Sequence, residues 1–130
     1  MERNKKLESP LAKAIGKGSA KHGFSHWWWQ RVTAIALIPL TIWFILSVLC
    51  LVGAEHQTAF AWLSSPFNAT AMLLFVLTAL FHAQTGLQVV IEDYIHTTWL
   101  NLTMLLLIKF AAVAMSVFAI ISVLKVVLGN

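Results

Sequence analysis

The sequence predicts an all-α integral membrane protein, a bundle of three transmembrane helices in one membrane-anchor domain covering residues 1–130. Three observations carry that prediction. Of the 130 residues, 59% are hydrophobic and only 11% charged, more apolar surface than so small a soluble domain can bury. The apolar residues gather into three stretches, each long enough to supply the roughly 20 residues a helix needs to cross a ~30 Å hydrocarbon core. The period-two alternation of a membrane barrel strand, the other way to satisfy every backbone group in lipid, is absent.

Residues 1–24 form a basic, glycine-dotted segment expected to order only against a partner. Arg3, Lys5, Lys6, Lys13, Lys17 and Lys21 are opposed there only by Glu2 and Glu8. Next to a membrane span this cluster reads as a positive-inside signal, not as a nucleic-acid patch, and places the N-terminus in the cytoplasm. The polar head is too long for a cleavable signal peptide, and the apolar run exceeds a signal's core. A mitochondrial presequence is richer in arginine and poorer in acid, so the expected location is a bacterial cytoplasmic (inner) membrane.

The first span is expected over 27–52. It opens on Trp27-Trp28-Trp29, indole rings suited to headgroup depth, with Arg31 close enough to snorkel to the polar layer. Pro39 withholds a donor from the carbonyl of Ile35 and predicts a kink. Cys50, the only cysteine, excludes an intrachain disulfide and covalent haem attachment, and reads as a small core residue. Residues 53–68 are expected as a periplasmic loop lying on the membrane, carrying Glu55, His56, Phe60, Trp62 and Leu63. Ser65-Pro66 offers an N-cap followed by a first-turn proline. The second span follows over 69–91, a cytoplasmic loop over 92–98, and a third span over 99–128 that ends outside.

Four polar features stand out from this apolar background. His82 lies near the middle of the second span, where an ionisable group is costly and faces protein rather than lipid. Two readings apply to it: a neutral imidazole hydrogen-bonded to a neighbouring helix, or an axial ligand to haem iron. Gly86, Val89 and Asp93 fall within about 40° of it on the helical wheel. The glycine lets either a flat macrocycle or another helix approach. Glu92-Asp93-Tyr94 puts two acids at a helix C-terminus, against the macrodipole; Tyr94, the only tyrosine, serves either the interfacial belt or a quinone carbonyl. Arg31, with His26 and Gln30 beside it, is an anchor at the inner surface or a partner for carboxylates such as haem propionates. Lys109 lies within the third span and either snorkels or meets an acid on a partner helix.

Two of these segments resemble a known family. His26-Trp27-Trp28-Trp29-Gln30-Arg31-Val32-Thr33-Ala34-Ile35-Ala36-Leu37 is similar to the first-helix signature of the small hydrophobic anchor subunit of bacterial succinate dehydrogenase. The stretch His82-x3-Gly86-x-Gln88-Val89-x3-Asp93-Tyr94 resembles that family's second-helix signature. Both occur in order and at the appropriate helix ends, and the likeness covers residues 22–130.

The resemblance implies that His82 is an axial ligand of haem b, which is shared with the larger cytochrome b anchor, the source of the second ligand. It further implies that Tyr94 hydrogen-bonds ubiquinone, that Asp93 supports the quinone site or its proton supply, and that Arg31 lies near the haem propionates. It assigns no role to His26 or Gln30. Succinate is then oxidised in a flavoprotein subunit, and electrons reach ubiquinone through an iron–sulfur subunit. This chain is catalytic only within that complex, with membrane lipid and those subunits as its partners and no nucleic acid. The competing expectations are a fumarate reductase anchor running the reaction in reverse, and a non-redox membrane scaffold.

Overall fold

The structure, a computed structural model, describes the backbone of residues 19–129 and the side chains from Gly23 onward. The chain forms four helices: α1 (Ser19–Leu51), α2 (His56–Ser64), α3 (Pro66–Tyr94) and α4 (Thr98–Leu128). Gly23–Leu51 within α1, and α3 and α4 in full, are long and apolar enough to cross a membrane. At 1.5 Å per residue, the 29 residues of α3 extend ~43 Å, so both its ends project beyond a ~30 Å hydrocarbon core.

The start of α1 differs from expectation. Residues 19–24, read as part of a segment awaiting a partner, are already helical. A single glycine, Gly23, costs a helix about 1 kcal/mol, and propagation from a long apolar helix downstream is far cheaper than a new nucleus. Arg3, Lys5, Lys6, Lys13 and Lys17 lie outside the described residues. Helix α1 runs unbroken through Pro39 and ends where Gly53 takes a φ of 78°, a left-handed turn natural to glycine. Cys50, read as a core residue, is exposed.

The connection read as a loop over 53–68 contains α2, a helix of nine residues. Its apolar residues explain it, because α2 packs on both α3 and α4. Trp62 stacks on Trp43 of α1 with ring centroids 5.8 Å apart. Ser65 is the extended residue before α3, and Pro66 takes the first helical position, where its missing N–H costs nothing. The Ser65 hydroxyl makes no capping bond; instead the Asn68 amide donates to the carbonyl of Trp62 at 2.8 Å and ties the two helices together.

Helix α3 packs on both α1 and α4. Against α1 it runs antiparallel, with Phe75 stacked on Phe44 at 4.6 Å and Phe81 edge-on to Trp29 at 6.3 Å. The bend into α4 is held by Asn101, whose amide donates to the carbonyls of Ile95 at 2.9 Å and Ile91 at 3.3 Å. These are carbonyls at a helix end that would otherwise want partners. Asn101→Leu is expected to cost about 1–2 kcal/mol, one or two hydrogen bonds, and to loosen Glu92–Tyr94. A lower thermal midpoint of the purified protein, with far-UV helicity unchanged at low temperature, is the result that checks it.

Little is buried within the chain itself. Among the described residues only Ala69, Ile91, Val123, Thr33 and Thr85 are buried. Two of these five are polar, and both lie where α1 meets α3.

Candidate functional site

The α1–α3 contact contains a polar cluster made of two matched pairs. Gln30 and Thr33 are three residues apart on α1, and His82 and Thr85 are three apart on α3, so each pair shares one helix face. Antiparallel packing sets them opposite each other. The Thr33 hydroxyl lies 2.9 Å from His82 Nδ1, and Gln30 Nε2 lies 3.4 Å from His82 Nε2. The Thr85 hydroxyl donates to Gln30 Oε1. Thr33 is 8% and Thr85 6% exposed. His82 is half-buried and stands ~18 Å along α3 from Tyr94 and ~24 Å from Pro66, close to mid-membrane.

Gly86 gives this contact its closeness. A Cβ built there would meet Gln30 Nε2 at 3.2 Å, so the missing side chain admits Gln30 of α1. Of the two approaches the glycine permits, the one within this chain is made by a neighbouring helix.

Interhelical hydrogen bonds in membranes average about 0.6 kcal/mol and reach about 1.7. Two or three of them hold α1 against α3 in a solvent where apolar side chains gain nothing by leaving lipid. What the imidazole adds to such bonding is a nitrogen lone pair.

Beside the cluster, nearer the start of α1, a cleft of about 700 Å³ opens between α1 and α3, lined among others by His26, Gln30, Arg31, Gln88 and Glu92. Arg31 is exposed and its guanidinium lies over the Trp27 ring, 4.8 Å from the centroid, an arrangement worth about 0.5–1 kcal/mol at an exposed site. Opposite it the Gln88 amide donates to Glu92 at 2.8 Å. His26 Nε2 is buried and has no hydrogen-bond partner, an uncommon state for a buried polar atom.

Toward a haem, the chain offers one imidazole, His82, and, in a cleft that His82 does not line, the unpartnered His26 nitrogen and the Arg31 guanidinium as donors for carboxylates.

The remaining residues singled out in the sequence lie apart from this cluster. Asp93 and Tyr94 are exposed at the end of α3, Tyr94 at 80%. Lys109 is exposed on α4, in a groove of about 450 Å³ with Gln84 and Ser116. Thr33 and Thr85 were missed by sequence reasoning. Their signal was the repeated three-residue spacing, Gln30 to Thr33 and His82 to Thr85.

Three apolar spans, two of them joined by a polar cluster, define a multi-pass membrane protein. Comparison with known proteins gives the family. Residues 5–123 match the succinate dehydrogenase/fumarate reductase transmembrane subunit family. A succinate dehydrogenase hydrophobic membrane anchor subunit from Rickettsia bellii is 36% identical over 117 residues, 90% of this chain and 94% of that one. The subunit of the same name from Paracoccus denitrificans is 35% identical over 86 residues, 66% of this chain and 67% of its own. A succinate dehydrogenase membrane anchor subunit from Reclinomonas americana is 30% identical over 96 residues, 72% and 80% of the two chains. No solved structure matches. The chain belongs to the succinate dehydrogenase/fumarate reductase transmembrane subunit family, with the role of a succinate dehydrogenase membrane anchor.

Proposed function

We propose that this anchor supplies one axial ligand of haem b, through His82, and part of the ubiquinone site of a succinate:quinone oxidoreductase. The observation that carries the proposal is the half-buried His82 imidazole near the middle of α3, held on its Nδ1 side by Thr33; the longer 3.4 Å contact of Gln30 with Nε2 is the one that iron would replace. When bound, haem b supplies a one-electron redox centre within the membrane.

The chain's own residues do the rest. His82 would hold the iron, and Arg31, at the cleft, would pair with the haem's carboxylates. Tyr94, at the end of α3, donates a hydrogen bond from its phenol to a quinone carbonyl and stabilises the negative charge that grows there on reduction. Asp93 supports that site and its proton supply. The exposure of Tyr94 and Asp93 in the single chain fits residues that complete a site together with other subunits. The names of the relatives support succinate oxidation as the direction. The orientation that agrees with the basic head puts the N-terminus and the quinone end in the cytoplasm of a bacterium.

Purification of the tagged chain in mild detergent tests the reading. A larger hydrophobic cytochrome b anchor, an iron–sulfur subunit and a flavoprotein subunit are expected to accompany it, together with one b-type haem per complex. Recovery of those subunits in full yield without haem would sink the ligand role and leave only the anchor.

A further inference from the structure

We infer that the groove between α3 and α4 that holds Lys109 and Gln84 docks a transmembrane helix of a different subunit, one that brings an aspartate or glutamate side chain to the level of Lys109. The haem reading is not needed for it, since Gln84 lies about 160° around α3 from His82 and belongs to another face of that helix.

Depth leads to it. Trp99, at the start of α4 and 81% exposed, carries an indole suited to headgroup depth. Lys109 follows about ten residues later, or ~15 Å of helix rise, which is half of a ~30 Å hydrocarbon core. Side chains on a helix lean toward its N-terminus, so the lysine stem recovers roughly one turn, ~5 Å, on the way back to the interface. About 10 Å of hydrocarbon still separates the ammonium from the headgroups. Snorkelling therefore falls short, and an anionic lipid headgroup does not reach the groove. A charge at this depth is met by protein.

The chain itself has no acid to offer there. Its acidic residues are Glu2, Glu8, Glu55, Glu92 and Asp93, and the nearest of these in level, Glu92, stands ~12 Å along α3 from Gln84. A second copy would be equally poor in acids, so the partner is another chain. The walls of the groove suit a helix. Lys109, Ala112 and Ser116 line it from α4, spaced to share one helix face, and the two small residues let a third helix come close. The Ser116 hydroxyl donates to the carbonyl of Ala112 at 2.7 Å and asks nothing of a partner. Gln84 lines the opposite wall, ~15 Å before the end of α3 and so level with Lys109. Three donors from the ammonium and two from the amide are a set that fits a carboxylate.

Crosslinking and charge exchange in the intact complex test the docking face. A photo-reactive benzoylphenylalanine in place of Val113, which lines the groove and is exposed, is irradiated in native membranes, and the adduct is sequenced by mass spectrometry. The expected adduct is a transmembrane segment of a co-purifying subunit, with an aspartate or glutamate within one turn of the crosslinked residue. Adducts to lipid alone, to a second copy of this chain, or to a segment without an acid would overturn the inference. Lys109→Arg keeps the charge and is expected to assemble like the parent. Lys109→Met keeps the length but strands the partner's carboxylate, so recovery of the chain with its subunits should fall about 10-fold or more. Lys109→Glu should fall as far, and changing the crosslinked acid to lysine should restore it. Parental recovery of Lys109→Met, or no rescue of Lys109→Glu by the reversed charge, would equally defeat the pairing. The crosslink is read with Lys109 in place, so it decides the matter even where the variants do not accumulate. Full recovery of subunits and haem beside lipid adducts alone would remove the docking face and leave the haem assignment standing.

Discussion

His82→Ala is expected to remove the b-type band from the reduced-minus-oxidised spectrum of the assembled complex. No second histidine of the described chain is placed to take over. His26 lines the cleft nearer the start of α1, and His56 and His96 are exposed at the start of α2 and in the α3–α4 connection. The loss would therefore be a loss of coordination and not a small retuning. His96→Ala is the matched control, since it deletes an imidazole from the α3–α4 connection and should leave the band intact. Removing a half-buried side chain also leaves a cavity, with its own cost to packing, so the subunits that co-purify must be counted alongside the spectrum. Added imidazole, which fits the vacated volume, is expected to restore part of the band. A full-strength haem signal in His82→Ala without any addition is the result this assignment does not survive.

What the sequence made legible, and what it did not, follows the same physics. The spans were plain because crossing lipid demands a composition that hardly anything else demands. His82 was plain for the complementary reason, a titratable ring where such groups are rare. Helix α2 was not, because a short apolar run bounded by Gly53 and Pro66 suits a surface loop as well as a helix; its contacts with α3 and α4 made the choice. Thr33 and Thr85 were hidden for a different reason. Threonine satisfies its own hydroxyl within any helix, so one threonine carries little signal, and the cluster emerges only when the α1–α3 register is known. Asn101 was hidden similarly, since its two carbonyl partners belong to the preceding helix and the turn.

The partly exposed state of the bundle also has a physical meaning. Helix faces that carry Trp27, Trp28, Phe110 or Phe118 are as comfortable against lipid as against protein, so exposure there says little about partners. Polar side chains at the same depth are different. Lys109, exposed within a span, costs about 2.5–3.5 kcal/mol at the centre of a membrane on insertion scales. Assembly with another membrane helix is how that cost is met.

The second large effect is expected at the other end of α3. Tyr94→Phe deletes one hydroxyl and leaves the ring, so it preserves an interfacial aromatic while removing the only phenol of the chain. If Tyr94 hydrogen-bonds the quinone oxygen as charge develops on it, the lost bond is one to a charged group, worth about 1.5–3 kcal/mol. That corresponds to a ~10- to 150-fold fall in the rate of ubiquinone reduction. The flavoprotein and its iron–sulfur partner do not depend on that hydroxyl, so succinate oxidation by an artificial dye acceptor should continue at the parental rate. The haem spectrum should not change either, because ~18 Å of helix separates Tyr94 from His82. Equal loss of quinone and dye reduction would point instead to failed assembly, and parental rates with both acceptors would return Tyr94 to the role of an interfacial anchor.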